Sequence, residues 1–226
     1  MTRLYLFAEG QTEQTFASNV LRPHLANTDV YMHAPLLIAH AKKKGIVHRG
    51  GGRKYIPMKN DIQRFLAQEK ARDVFFTTMI DLYAIHDDFP GLREAEKLHN
   101  VPYQRVEALE RAFADDIGDD RFVPYSQLHE YETYLFADPT QFGFFYNQAA
   151  PAISALKAIA DKTEPELIND GPDSAPSKRI IAEIPDYEGA KPVVGPQVAE
   201  LIGLPAIRQK CPHFNQWLSH LERLND

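Results

Sequence analysis

Leu4-Tyr5-Leu6-Phe7-Ala8-Glu9-Gly10-Gln11-Thr12-Glu13 is the stretch whose reading decides the fold. A short apolar run stops at a carboxylate, turns on a glycine and enters a segment of helical spacing. Such a run, bounded by a turn signal, predicts a buried strand with Glu9 at its C-terminal end. Open α/β sheets carry their sites at that end. Gly10 lets the backbone turn with no Cβ in the way, Thr12 is read as the helix cap, and Glu13 falls in the first turn. Two carboxylates then face one crevice.

A second run, Val74-Phe75-Phe76-Thr77-Thr78-Met79-Ile80-Asp81-Leu82-Tyr83, also ends in an acid. With a helix between them, the two runs predict parallel neighbours whose C-terminal ends share an edge, so Glu9 and Asp81 should converge. Clustered carboxylates repel one another, and a bound divalent cation is the usual means of keeping several ionised at pH 7.

Between these runs, apolar spacing predicts a helix from Glu13 to about Ala26, bent at Pro23. Val30 to Ile38 reads as an extended segment, with Pro35 favouring an edge or a bulge. The stretch Lys42 to Lys59 carries seven basic residues and no acid before Asn60, and with Gly50, Gly51 and Gly52 it reads as a loop. Lys42, Lys43, Lys44, Arg49, Arg53 and Lys54 make it the candidate nucleic-acid contact, at the rim of the carboxylate crevice. Asn60 is read as the cap of a helix running to about Lys70.

Beyond Asp81, a loop carries His86, Asp87 and Asp88; helices follow from about Leu92 and over Pro102 to Ile117. Phe122 to Leu128 predicts a further strand, and His129-Glu130-Tyr131-Glu132 its exit. Glu130 and Glu132 share a face if that exit is extended and splay by about 200° if it is helical; Glu130 lies nearer the strand end. Periodicity leaves the two open. Ala152 to Ala160 reads as a helix, Pro172 to Pro176 as a linker, and Pro196 to Leu224 as short helices broken at Gly203, Pro205 and Pro212. Ser177-Lys178-Arg179 opens a helix, where a lysine is a ready phosphate partner.

The 226 residues carry a net charge of −6, which argues against a nucleic-acid coat but not against a local basic patch. One cysteine, Cys211, excludes an internal disulfide framework and a cysteine-based zinc site, and fits a reducing, cytoplasmic compartment. No apolar run approaches the length of a membrane span.

Glu9-Gly10-x-Thr12-Glu13 after the first strand, Asp81 after a later one and His129-Glu130-x-Glu132 after another resemble the Toprim-like proteins of the DUF4276 group. These are distant relatives of the Toprim domains of topoisomerases, primases and overcoming-lysogenisation-defect nucleases. The resemblance implies a Toprim-like (Rossmann-like) α/β fold, a largely parallel sheet flanked by helices. The expected division is a core over residues 1–138 and a mostly helical C-terminal extension, 139–226, packed on it. It further implies Mg²⁺ or Mn²⁺ held by Glu9, Glu13, Asp81, Asp87, Glu130 and Glu132, with Glu9, Asp81, Glu130 and Lys178 as the catalytic set. The second aspartate of the Toprim Asp-x-Asp pair is Tyr83 here, so one metal or two stays open. The implied activity is that of a metal-dependent nuclease in bacterial anti-phage defence, acting on nucleic acid, DNA rather than RNA, beside an ABC/SMC-like ATPase. A non-catalytic module that regulates or scaffolds the ATPase is the alternative, and a homodimer is kept open.

Overall fold

The computed structural model describes residues 1–43, 46–49, 54–83, 85–168 and 174–225, with the backbone alone over 39–43 and 46–49. In chain order the first elements are β1 (Thr2–Ala8), α1 (Gln11–Phe16), a π-helical turn (Ala17–Leu21), α2 (Arg22–Ala26), β2 (Val30–Met32) and β3 (Leu36–Leu37). Then come β4 (Ala39–Lys43), β5 (Ile46–Arg49), α3 (Tyr55–Gln68) and β6 (Val74–Asp81). α4 (Leu92–Ala95), α5 (Pro102–Ile117), β7 (Phe122–Val123) and β8 (Ser126–Gln127) lead to two 3-10 helices, Tyr131–Ala137 and Pro139–Phe144. The chain ends in α6 (Ala150–Ala160), a 3-10 turn (Pro165–Leu167), α7 (Pro176–Glu183), α8 (Tyr187–Ile202), α9 (Leu204–Lys210) and α10 (Pro212–Glu222). The architecture is α/β, with a largely parallel sheet between helices and a mostly helical C-terminal part.

β1 and β6 are the central strands, paired in parallel from Arg3 with Val74 to Ala8 with Met79. Prolines break both outer positions. β2 and β3 are two half-strands laid on β1, interrupted where Pro35 falls, and β7 and β8 are two half-strands laid on β6, interrupted at Pro124. A proline supplies no ladder donor, so it is tolerated at such an edge. The sheet is therefore six strands by count and four wide.

Strand alternation sends Leu4, Leu6 and Ala8 into one core and Phe7 into the other. On β6, Met79 joins the first and Val74, Phe76 and Ile80 the second. α3, α4 and α5 cover the second face; α1, α2 and the C-terminal helices cover the first. Trp217 of α10 reaches the sheet itself, its Nε1 donating to Thr77 Oγ1 at 2.9 Å. Thr77, Met79 and Asp81 alternate with the second-core residues, so Asp81 lies on the side of α1 and the C-terminal helices.

Several local expectations change. At Pro23, where a bend was expected, the first helix runs on as α1, a π turn and α2. Lacking an N–H for the Asn19 carbonyl, the proline is accommodated by the π turn before it, which Arg22 N closes on Ala17 O. The basic stretch is not a simple loop, because β4 and β5 pair as an antiparallel hairpin from Ala39 with Arg49 to Lys43 with Ile46. α3 starts five residues before Asn60, which lies exposed inside it. Its cap comes from far along the chain: Asp88 Oδ1 accepts from Tyr55 N at 3.1 Å, and His86 Nδ1 holds that carboxylate at 2.8 Å. α8 runs through Pro192 and Pro196, nine residues ahead of the Pro196 start that the sequence suggested. Of the Pro172–Pro176 linker, residues 172 and 173 lie outside the described residues and Pro176 opens α7.

Asp88→Ala should therefore weaken the fold by about 1 kcal/mol, a drop of roughly 2–4 °C in melting temperature for a chain of this size, through loss of the α3 cap. A melting temperature equal to wild type would show that α3 needs no cap from this loop.

Candidate functional site

The β1–β6 register sets the site. Glu9 N continues the ladder onto Met79 O at 3.0 Å, and Glu9 Oε2 accepts from Asp81 N at 2.9 Å. Gly10 is the N-cap of α1, and Glu13 reaches back so that its Oε2 accepts from Gly10 N at 2.9 Å. Gly10 has no side chain to return the bond, so this is half a capping box, and Thr12 lies within the helix rather than at its cap. A Cβ at this glycine would stand 2.9 Å from Glu13 Oε2 and press on that carboxylate.

β8 brings in the other two carboxylates. It pairs Asp81 with Gln127, and Tyr83 N then donates to His129 O at 2.8 Å. His129 turns the chain with a left-handed φ of 67°, and the 3-10 helix begins at Tyr131. Glu130 Oε2 accepts from Ser177 N, at the start of α7, at 2.9 Å. Glu132 is buried; its Oε1 takes a 3.4 Å bond from the Tyr187 hydroxyl and lies 3.6 Å from Lys191 Nζ.

The electrostatics tie these groups together. Burial pushes Glu13 up to about 8, with the charges of Glu9 and Glu132 adding to it. Burial also lifts Asp81 well above the carboxylate range, and Glu13, Glu9, Glu132 and Glu130 all push the same way. Glu132 is raised by burial and by Glu130, while Lys191 pulls it back. Asp81 Oδ1 and the Tyr131 hydroxyl are enclosed with no hydrogen-bond partner among the described residues.

Five carboxylates thus lie within electrostatic reach of one another at the C-terminal edge of the sheet, Glu13 and Glu132 buried and Glu9, Asp81 and Glu130 half-buried. Among the described residues, no three His, Cys, Asp or Glu side chains are gathered as the ligands of one ion. Glu9, Glu13 and Glu130 are each turned onto a backbone N–H instead. The donor chemistry still fits a hard divalent cation: all five groups offer oxygen, Asp81 Oδ1 has no partner among the described residues, and the raised proton affinities of Glu13 and Asp81 mark a place where positive charge is missing.

The remaining sequence candidates fall elsewhere. Asp87 is exposed, and its neighbour Asp88 is the cap of α3. Lys178 is exposed in the first turn of α7, whereas the ammonium beside Glu132 is that of Lys191. Lys42, Lys43 and Arg49 lie in the hairpin strands, Lys54 is exposed at the start of α3, and Lys44 and Arg53 lie outside the described residues. Lys59 is paired with Asp116 at 2.8 Å. Sequence reasoning missed Tyr187 and Lys191. The one signal for them was a single cation in the apolar, proline-bearing run Gly189-Ala190-Lys191-Pro192-Val193-Val194.

No curated protein matches the chain. Among solved structures it is similar to the C-terminal region of the Burkholderia pseudomallei OLD protein, at 15% identity and a TM-score of 0.47, over 98% of this chain and 97% of that one. It is also similar to the C-terminal region of the Xanthomonas campestris pv. campestris OLD protein phased with platinum, at 13% identity and a TM-score of 0.43, over 100% and 98% of the two chains. Among the described residues no helix is long and apolar enough to cross a membrane. The model of DUF4276, described as a domain of unknown function, matches residues 8–222, nearly the whole chain from the end of β1 to the end of α10, and the chain therefore belongs to the DUF4276 family.

Proposed function

We propose that this protein is a Toprim-like, divalent-metal-dependent nuclease, or a related phosphodiester-acting protein, of a bacterial anti-phage system that works with an ABC/SMC-like ATPase. The observation that carries the reading is that Glu9, Glu13, Glu130 and Glu132 all oppose the ionisation of Asp81, whose Oδ1 is enclosed without a hydrogen-bond partner among the described residues. Asp81 and Glu9, with Glu130 and Glu132, are the groups that would hold Mg²⁺ or Mn²⁺. Such an ion supplies Lewis-acid polarisation of a phosphate and a water of lowered pKa. The chain's own share is to hold the carboxylates together and to move a proton, through Glu9 or Glu130, at the sheet's edge. Tyr83 in place of a second aspartate favours the alternative, a non-catalytic module that regulates the ATPase.

A cleavage assay on wild type and Glu9→Gln separates the two. The protein, alone or with its ATPase, should cleave DNA or RNA with Mg²⁺ or Mn²⁺, and the substitution should reduce cleavage by at least about a hundredfold, since even outer supports of metal ligands cost 10–100-fold. No cleavage by the wild type, alone or with its ATPase, would favour the scaffold, and wild-type cleavage in purified Glu9→Gln would remove Glu9 from the activity.

The basic hairpin, preceding α3, is the proposed nucleic-acid contact. Replacing Lys42, Lys43 and Lys44 by Ala should weaken binding to all sequences about equally and lower the salt slope by up to about three, one for each phosphate no longer neutralised. Unchanged affinity and slope would remove the hairpin from the interface.

A further inference from the structure

α8 presents Tyr187 and Lys191, one turn apart, to the same oxygen of Glu132, at 3.4 and 3.6 Å. From this geometry we propose that Lys191 is a built-in counter-ion of the carboxylate cluster, one that an incoming divalent cation must displace. The proposal rests on reading the cluster as a metal centre. The lysine's place is set by the packing of its helix. A Cβ on Gly195 would meet the Tyr187 hydroxyl at 2.9 Å and Thr12 Cγ2 and Tyr131 Cε1 at 3.5 Å, so α8 lies directly on the start of α1 and on the 3-10 helix. Lys191 therefore faces the corner that also holds Glu13 and Asp81.

The contact is suited to being given up. At 3.6 Å it is an ion pair without a short directed bond. The Glu132 side chain is 9% exposed and that of Lys191 29%, so the carboxylate depends on a protein cation while the ammonium keeps a way out to water. A lysine is a compact charge on a flexible stem, able to swing aside without disturbing its helix. A dication brought among the same carboxylates carries twice the charge and is repelled by the ammonium until it moves.

Mn²⁺ titrated calorimetrically into the metal-free full chain tests this, with Lys191→Gln and Lys191→Arg compared with wild type and circular dichroism used to verify their folding. Lys191→Gln should bind Mn²⁺ on the order of tenfold more tightly, the usual effect of one neighbouring charge, and Lys191→Arg should bind as wild type does. In wild type, added Mn²⁺ should raise the rate at which an amine-acylating reagent labels Lys191, read by mass spectrometry; this readout needs no variant. Equal affinity in wild type and Lys191→Gln would overturn the counter-ion and leave the metal centre standing, as would weaker binding, which would make Lys191 a support of the site. Absence of Mn²⁺ binding in all three proteins would overturn both.

Discussion

Asp81→Asn should abolish metal-dependent cleavage and at the same time make the metal-free protein more stable. The two effects have one cause. Glu9, Glu13, Glu130 and Glu132 all oppose the ionisation of Asp81, and its Oδ1 is enclosed without a partner among the described residues. As a metal ligand, that oxygen is the group best placed to gain from a cation; without one, it is a buried polar atom left unsatisfied. An asparagine keeps the shape, removes the charge and adds an N–H₂ donor among acceptors. Cleavage should fall by at least about a hundredfold, and unfolding free energy in chelator should rise by about 1–3 kcal/mol, the cost of an unsatisfied buried group. Chemical denaturation and a nuclease assay on one preparation suffice. A variant that is inactive and less stable than wild type would assign Asp81 to the architecture of β6 instead of to a strained site.

The metal-free protein should also lose stability between pH 5 and pH 8, where many proteins are at their most stable. A carboxyl whose folded pKa lies above its unfolded value binds more protons when folded, so stability falls as pH rises from the unfolded value to the folded one. Glu13 rises from 4.5 to about 8 because it is buried, 6% exposed, and faces Glu9 and Glu132. At about 1.4 kcal/mol per unit, Glu13 alone spans on the order of 3–5 kcal/mol over that window. Asp81 and Glu132 shift in the same direction, and so does the loss of the His213 proton held against Glu110. Acids with lowered values, such as Asp88 and Glu222, contribute at lower pH and leave this slope unchanged. Urea midpoints measured in chelator from pH 5 to 8 should decline, Glu13→Gln should flatten the decline, and Mn²⁺ at pH 8 should restore stability by mass action. A level profile across the window would show that Glu13 ionises normally.

Where a short stretch settles its own structure, the sequence was readable. The runs ending at Glu9 and Asp81 are strands because an apolar, β-branched and aromatic segment bounded by a turn has one way of being buried in a parallel sheet. α5 ends at the predicted residues because Pro102 and Gly118 mark both of its ends locally. Distant partners defeated the same reasoning. Asn60 resembled a cap, but the cap of α3 is Asp88, 33 residues beyond Tyr55. Pro196 read as the start of a helix, yet packing on α1 lets α8 begin at Tyr187 and run through Pro192 and Pro196. In the site, the acids were visible because they sit at strand exits, whereas Lys191 gains its place only from the docking of α8. Glu130 and Glu132 were left undecided between one face and two. The extended backbone at Glu130 and the tight 3-10 turn after it bring both within range of Asp81, an arrangement that neither ideal period describes.

The seating of the last helices on the first strand also governs the order in which the molecule can assemble. β1 and α1 leave the ribosome early, but the apolar face they share is closed by α8 and α10, and Thr2 N bonds Asn225 Oδ1 across 223 positions of chain. Contacts of such separation are slow to form, because the intervening chain must be ordered before they contribute. Until residues 187–221 arrive, Leu4, Leu6 and Phe16 are open to water and to other chains, and Glu132 has neither Tyr187 nor Lys191. The carboxylate corner thus lacks its α8 groups until those residues have been made, so a half-made chain presents no finished site. Trp217, the chain's single tryptophan, bonds Thr77 on the central strand, so its fluorescence reports that closing step directly.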